Sequence, residues 1–393
     1  MNDINIGKDK KILVALSGGV DSSVAAVLLK KKGYHTEAAY MRCWSEGPYC
    51  TAEKDQSDAA KVATILGIPL HVFDFEKEYK ARVIDYFFAE YKAGRTPNPD
   101  VMCNKEIKFG LFLKKACELG FDYIATGHYA RVSSQQLVTR DQGPGTRDQY
   151  SENWSLETGD PTPGIKNGNG HKYHLLKGVD SQKDQSYFLY LVGQDQLART
   201  LFPVGELTKQ EVRKLAKKFG LPTADKPDST GICFVGPAQV KEFLMQKIKI
   251  THGDIVSVDG KLLGRHIGLP FYTIGQREGL GISAPVPYYV VEKIVDTNTL
   301  VVAPFGHEAL FKDKFLADQA HWVAGEEPKY PLRIQAKLRY RAEVATALVN
   351  KLGSERLEVS LEKPQRAITP GQSAVFYKGE EVLGGAVVHK VLY

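Results

Sequence analysis

The sequence predicts an α/β protein whose first half is a parallel sheet covered by helices and whose second half is β-rich. Two observations carry this. Up to about Val132, short apolar runs alternate with amphipathic stretches of helical period, as strands joined by helical crossovers do. From Gly253 onward, short alternating runs are broken by turn residues at Asp259-Gly260, Asp296-Thr297-Asn298 and Lys378-Gly379, the pattern of a small barrel.

Each element follows from its local pattern. Strands are expected at 11–16, 36–41, 69–73 and 122–126, and helices at 22–31, 53–66, 76–92 and 104–119. Residues 133–171 lack sustained periodicity and are rich in Gly, Asp, Asn, Ser and Thr. They read as a flexible insertion between strands at Ala130–Val132 and Lys172–Lys177. The stretch "LTKQEVRKLAKKFGLP" carries a capping box, Thr208 with Glu211, and stops at Gly220-Leu221-Pro222. A further helix is expected at about 237–248. The domain division is 1–200, 201–304 and 305–393, with the loop around Cys233 packing back onto the first domain.

Composition narrows the function classes. A length of 393 residues with 43% hydrophobic content supports two or three real cores. The net charge of +6 permits a nucleic-acid partner without arguing for one, because local clustering matters more. No apolar run approaches the ~20 residues of a membrane helix, and "MNDINIGKDKK" lacks a signal-peptide core. The 5 cysteines are odd in number and form no C-x-x-C pair, which argues against a disulfide framework or zinc ribbon. A cytoplasmic enzyme with reactive thiols and no membrane partner fits these features.

Three stretches carry chemistry. In "KKILVALSGGVDSSVAAVLLKKKGY" a strand meets Ser17-Gly18-Gly19-Val20-Asp21-Ser22-Ser23 and then a helix. Backbone N–H groups and the helix dipole converge there, as at phosphate sites, yet the Walker lysine is missing. The plain alternative is an ordinary turn with Ser as N-cap. In "GRTPNPDVMCNKEIKFG" the two prolines are expected to keep the chain non-helical through Asp100, with helix resuming near Asn104. That puts Cys103 at a helix N-terminus, where thiolate is favoured; the alternative is a small packing residue. In "DKPDSTGICFVG" Cys233 follows a polar loop, but its apolar neighbours equally suit a strand core.

The first stretch resembles the PP-loop of the ATP pyrophosphatases, adenine nucleotide alpha hydrolase-like enzymes that cleave ATP between the α and β phosphates. All three in this order, with "CTAEKDQSDA", "TGHYARV", "KDQSYFLY", "YTIGQREGLG" and "KLRYR", resemble the tRNA-specific 2-thiouridylase family nearly end to end. The resemblance implies ATP contacts at Ala15, Leu16, Ser17, Gly18, Gly19, Val20, Asp21, Ser22, Met41 and Gly127, with Asp21 holding Mg²⁺. It implies that Asn98, Pro99 and Asp100 meet the target base, and that Lys183, Asp184, Gln185, Arg339 and Tyr340 touch tRNA. It further implies a persulfide on Cys233, attack by Cys103 ending in a Cys103–Cys233 disulfide, and Asp100 as general acid/base. The implied partners are tRNA and a cysteine desulfurase or sulfur-relay protein.

Two departures and one independent feature complete the reading. The insertion 133–171 is longer than the family pattern, and Cys43 and Cys50 match no implied role. With His71 they would offer metal ligands, although buried thiols are the simpler account. In "PLRIQAKLRYRAEV", strand periodicity puts Arg333, Lys337, Arg339 and Arg341 on one face, spaced for a phosphate backbone. Competing readings are another PP-loop ligase that attacks with an amine, and an RNA-binding protein without catalysis. The first needs no cysteine pair; the second leaves the PP-loop unexplained.

Overall fold

The computed structural model describes residues 7–45, 51–136, 171–228 and 240–392. The first element is β1 (Lys11–Ala15), whose apolar side chains are all buried, followed by α1 (Val20–Lys31) and β2 (His35–Arg42). Next come α2 (Ala52–Leu66) and β3 (Leu70–Asp74). The segments Glu76–Tyr79, Lys80–Ile84 and Asp85–Lys92 run on without a break as α3, with a π-helical middle. Likewise Pro99–Met102, the π-helical Cys103–Phe112 and Leu113–Glu118 form α4. Then follow β4 (Tyr123–Ala125), the hairpin β5 (Ala130–Gln136) and β6 (His171–Lys177), and β7 (Thr200–Leu201).

Five of these strands make an all-parallel sheet in the order β3-β2-β1-β4-β7. The strand order reverses beside β1, so β1 and β4 flank the switch point where open α/β sheets bind ligands. Helix α5 (Lys209–Lys218) begins with the expected capping box: Thr208 Oγ1 accepts from the Glu211 amide, and the Glu211 carboxylate accepts from the Thr208 amide at 2.7 Å. Its buried Val212 and Ala216 join Val24, Val27 and Leu29 of α1 in one core. Residues 201–224, assigned from sequence to the central domain, therefore pack against the parallel sheet. Burial of their apolar face against α1 decides this.

After α6 (Val240–Met245), a four-stranded sheet forms from β8 (Gly253–Ser257), β9 (Leu262–His266), β10 (Tyr288–Ile294) and β11 (Thr299–Pro304), in the order β10-β11-β8-β9. The last strands are β12 (Phe311–Trp322), β13 (Leu332–Lys337), β14 (Ala345–Leu352), β15 (Arg356–Arg366), β16 (Ser373–Lys378) and β17 (Glu381–Val391). They run β12-β15-β14-β13-β16-β17, and β12 also pairs with β17, which closes the antiparallel barrel. The expected turn residues adopt the left-handed backbone such turns require: Gly260 at φ 81°, Asn298 at φ 51° and Gly379 at φ 61°.

One connection crosses the expected boundaries. The hairpin β5–β6 extends the barrel sheet, with Leu176 and Leu175 opposite Glu381 and Val382 of β17. An ion pair from Arg131 to Glu380 and a hydrogen bond between His174 and Glu381 (2.6 Å) seal the junction. Most of the 133–171 insertion lies outside the described residues. No described helix is long and apolar enough to cross a membrane.

Candidate active site at the loop after the first strand

The turn from β1 into α1 leaves the first helical amides without a side-chain cap, although the Gly19 amide itself donates to Ser17 Oγ at 3.4 Å. Gly19 is the N-cap and supplies no side-chain cap, so the reading of a Ser N-cap does not hold. The serines instead brace the loop: the Ser17 amide donates to Ser22 Oγ (3.1 Å), and the Ser22 and Ser23 hydroxyls donate to the Gly19 carbonyl (3.2 and 2.7 Å). The first turn of α1 thus presents its amides and the positive end of its dipole to the mouth of the switch point. Gly18 sits at φ 75°, and a Cβ there would come within 2.3 Å of the Asp55 carbonyl oxygen. A Cβ on Gly127, in the loop after β4, would lie 2.5 Å from the Ser22 amide nitrogen. Both contacts demand glycine, so the backbone packs tightly around the loop. Ala15 and Leu16 are buried beneath it, and Met41 packs at the end of β2.

Lysines from distant parts of the chain reach this loop. Lys209, at the start of α5, places Nζ at 2.7 and 2.8 Å from the two carboxylate oxygens of Asp21 and 2.9 Å from Asp228. The Tyr129 hydroxyl donates to the same Asp21 carboxylate at 2.7 Å. Lys226 Nζ donates to the Gly18 carbonyl at 3.0 Å and pairs with Asp55 (2.6 Å) and Asp58 (2.7 Å) of α2. Burial alone would raise the Asp228 carboxyl, but hydrogen bonds from Lys183 and Lys209 outweigh it and hold it down at about 2. The hydrogen bond from Lys226 holds the Asp58 carboxyl low, and the two carboxylates in return hold Lys226 up against its own desolvation.

None of Lys209, Lys226, Tyr129, Asp55, Asp58 and Asp228 is visible as a site residue from local pattern. The only signal is that most fall inside the stretches quoted for the family resemblance. Among the described residues, no group of three or more His, Cys, Asp or Glu could hold a metal by itself. Asp21 and Asp228 nevertheless share one cation, and Mg²⁺ needs only one or two carboxylates when phosphates and water complete its shell. The residues fit such an ion.

The second sequence-predicted cluster needs a correction. Helix α4 begins at Pro99, not near Asn104, because proline is tolerated at the first helical position, where its missing N–H is not needed. Asn98 is the N-cap, with its side chain accepting from the Val101 amide at 3.4 Å. Cys103 consequently lies a full turn inside the helix, beyond the reach of the terminal dipole. It is 5% exposed, and burial, reinforced by the Asp100 charge, pushes its thiol up against the lowering effects of Lys108 and Tyr79. The expected thiolate is a buried thiol in this structure. Cys43 packs against the same core, and its thiol is raised by burial and by the neighbouring Cys103. His71 pairs with Glu37 at 2.6 Å. Cys50 and Cys233 lie outside the described residues, as does the expected packing of the Cys233 loop.

The barrel reaches this second cluster through a contact the sequence did not announce. Gln372 Nε2 donates to the Thr96 and Pro97 carbonyls at 2.8 and 2.9 Å, and the Thr96 amide donates to the Pro370 carbonyl at 2.9 Å. The strap 96–98 that delivers Asn98, Pro99 and Asp100 is thereby fixed by the C-terminal domain.

The residues implied to touch tRNA are partly gathered. The Tyr340 ring packs on Phe188 (4.5 Å between centroids), next to the 183–185 segment. Asp184 is buried and accepts from Gly178 and Ser186, while Gln185 accepts from the Tyr129 amide, so both side chains hold the fold. Lys183 pairs with Asp228 at 2.7 Å. The basic row is shorter than expected, because β13 ends at Lys337 and Arg339 and Arg341 lie in the turn beyond it. All three arginines are exposed; Arg333 is paired with the Glu362 carboxylate, and Arg339 donates to the Arg366 carbonyl at 3.0 Å.

Comparison with known proteins decides what this arrangement belongs to. Three family models match in order: the tRNA methyl transferase HUP domain over residues 10–237, its PRC-barrel domain over 241–304, and the aminomethyltransferase beta-barrel domain over 312–388. The tRNA-specific 2-thiouridylase MnmA of Marinomonas sp. is 48% identical, covering 97% of this chain and 91% of that protein. The chain belongs to the tRNA-specific 2-thiouridylase family. The 2-thiouridylases of Haemophilus ducreyi (46% identical, 98% of this chain, 94% of that one) and Citrobacter koseri (47%, 98% and 98%) match as fully. Likeness to the solved U34-tRNA thiolase NcsA from Methanococcus maripaludis is slight, at 17% identity over 57% of this chain and 60% of that one, with a TM-score of 0.34.

Proposed function

We propose that this 2-thiouridylase family member uses ATP to replace the 2-oxygen of the wobble uridine in tRNAs for Lys, Glu and Gln with sulfur, releasing AMP and pyrophosphate. The observation that carries the reading is full-length membership of the 2-thiouridylase family together with an uncapped, glycine-bounded loop at the switch point of the sheet.

Oxide is too poor a leaving group for direct displacement. The uridine O2 therefore attacks the α-phosphate of ATP, and pyrophosphate leaves into the cradle formed by the amides of Gly18 to Ser22. Asp21 would hold Mg²⁺, which would supply charge neutralisation on the phosphates. The terminal sulfur of a Cys233 persulfide attacks C2, and AMP leaves with the former O2. Cys103 then attacks the Cys233 sulfur, freeing 2-thiouridine and leaving a Cys103–Cys233 disulfide that an external thiol reduces. The persulfide can equally be cleaved first, with released sulfide as the nucleophile. Asp100, one turn before Cys103 on α4, serves as the general acid/base at the base edge. Asn98 and Pro99 line the target base, while Lys183, Arg339 and Tyr340 meet the tRNA; Asp184 and Gln185 act through backbone and fold. The sulfur comes from a cysteine desulfurase or a relay protein, and the reaction takes place in the cytoplasm, where the tRNA is.

Mass spectrometry of tRNA nucleosides from cells lacking the protein tests this directly. The 2-thiouridine derivatives should disappear and return with the wild-type gene. Normal 2-thiouridine in those cells overturns the reading.

A further inference from the structure

The PP-loop lacks the lysine that grips phosphates in Walker-type loops, and its own charge arrangement poses a problem. Asp21, Asp55, Asp58 and Asp228 surround it, and every cation described beside them is already engaged with a carboxylate. A polyphosphate entering such a mouth meets as much negative as positive charge. The triphosphate can be held only if some of these pairs exchange partners.

The three lysines are not equivalent. Lys226 is fixed from three sides by Asp55, Asp58 and the Gly18 carbonyl, which makes it a brace for the loop backbone. Among the described residues, Lys183 pairs with Asp228 alone. Lys209 shares Asp228 at 2.9 Å, but of the three it is the one that also reaches the Asp21 carboxylate, which sits in the first turn of α1 where the loop amides converge. Its stem is held by the packing of α5 on α1 and by its amide donating to Asp180 at 2.9 Å. Its ammonium also lies 5.7 Å from the Tyr129 ring centroid, so the head stays at the mouth even if one carboxylate is withdrawn.

We propose that Lys209 is the phosphate lysine of this loop, kept in register on the Asp21 carboxylate until a magnesium-bearing polyphosphate takes that carboxylate over. A divalent cation competes better than an ammonium for a carboxylate beside phosphate oxygens. The displaced ammonium is then left among anionic oxygens with its stem already ordered, so little rotamer entropy is lost on the exchange. The missing Walker lysine is thus supplied from a helix 188 residues away in sequence. This inference rests on the reading that the loop holds ATP.

Two binding measurements test it without turnover. Calorimetry of pyrophosphate in the presence of Mg²⁺ should show binding to the wild-type protein. Affinity should be about tenfold to a hundredfold weaker in Lys209→Met, the range for losing a charge-assisted hydrogen bond, with most of it restored in Lys209→Arg. Mn²⁺ titrated without nucleotide and followed by electron paramagnetic resonance should bind Lys209→Met more tightly than wild type, because Asp21 is no longer occupied by its own lysine. A residue that merely fastened α5 to the loop would weaken both. Asp21→Asn gives a third arm that leaves the lysine itself unchanged: metal-free pyrophosphate should bind it more tightly than wild type, since the ammonium then keeps only Asp228, which Lys183 and Arg213 already share. Unchanged pyrophosphate affinity in Lys209→Met overturns the inference alone, as does Mn²⁺ affinity that fails to rise or metal-free binding that fails to strengthen in Asp21→Asn. Wild-type protein that binds neither pyrophosphate nor ATP overturns the ATP reading, and this inference with it.

Discussion

The loop after β1 and the turn that opens α4 each lead the chain into a helix, yet the two are prepared in opposite ways. At the first, donors and charges are in place: uncapped amides, two obligatory glycines and lysines locked on carboxylates. At the second, Cys103 is buried among apolar neighbours and its thiol is pushed up. Phosphate recognition rewards a rigid, preorganised cradle, because the charge to be met is the same in every turnover. A sulfur nucleophile is different. An exposed thiolate would oxidise or exchange with other thiols between turnovers, so burial that keeps it protonated protects it. On the function proposed above, the adenylating half of the site is the loop built in advance, and the sulfur half is the thiol kept buried.

Mutations break that contrast from either side. Cys103→Ser should abolish multiple-turnover thiolation of tRNA while leaving ATP–pyrophosphate exchange within about twofold, since it removes a nucleophile and little volume. Full turnover in this variant would return Cys103 to a packing role. Gly18→Ala should do the reverse. Its methyl would meet the Asp55 carbonyl at 2.3 Å on a left-handed backbone, so exchange should fall about a hundredfold or more while tRNA binding holds.

The protonation contrast can be read by titration. With the Cys103 thiol raised by burial, iodoacetamide at pH 8 should label it about tenfold more slowly than a free cysteine, and addition of tRNA should speed it. Equal rates without tRNA would mean the thiol is not held protonated. On the other side, the Asp228 carboxyl at about 2 lies below its unfolded value near ~3.9. It contributes stability above pH ~4 that is lost as pH falls toward 2, so Asp228→Asn should cost about 1 kcal/mol at neutral pH once solvent screening is allowed for, and flatten the acid limb of the stability profile. Denaturant midpoints at pH 7 and pH 3 would show it.

The smallest effect is expected at the edge of the molecule. Arg339→Glu with Arg341→Glu should weaken tRNA binding and lower its salt slope by about one unit or less per lost phosphate contact, with ATP binding untouched. Arg333, already paired with Glu362, should matter less. Filter binding over a salt series separates the two positions.

Much of the architecture was legible in the residues. The periodicity located β1 to β4 and their helices, Thr208 and Glu211 announced α5, and Gly260, Asn298 and Gly379 marked turns that the fold uses. The opening of α4 was misread because proline was taken as a barrier when Pro99 serves as the first helical residue. The basic row was overextended because the alternation of basic and apolar residues continues past Lys337 although strand pairing stops there.

Sequence alone determined what depends on near neighbours: helical and strand period, caps, and turn glycines. Those properties follow from backbone sterics and hydrogen bonding within a few residues. The tertiary structure decided the rest. It brought Lys209 to Asp21, Lys226 to Gly18 and Gln372 to the strap at 96–97, and it joined the β5–β6 hairpin to the barrel. It also determined that Cys103 is a protected thiol, because desolvation depends on what packs over a side chain and not on where it stands in a helix.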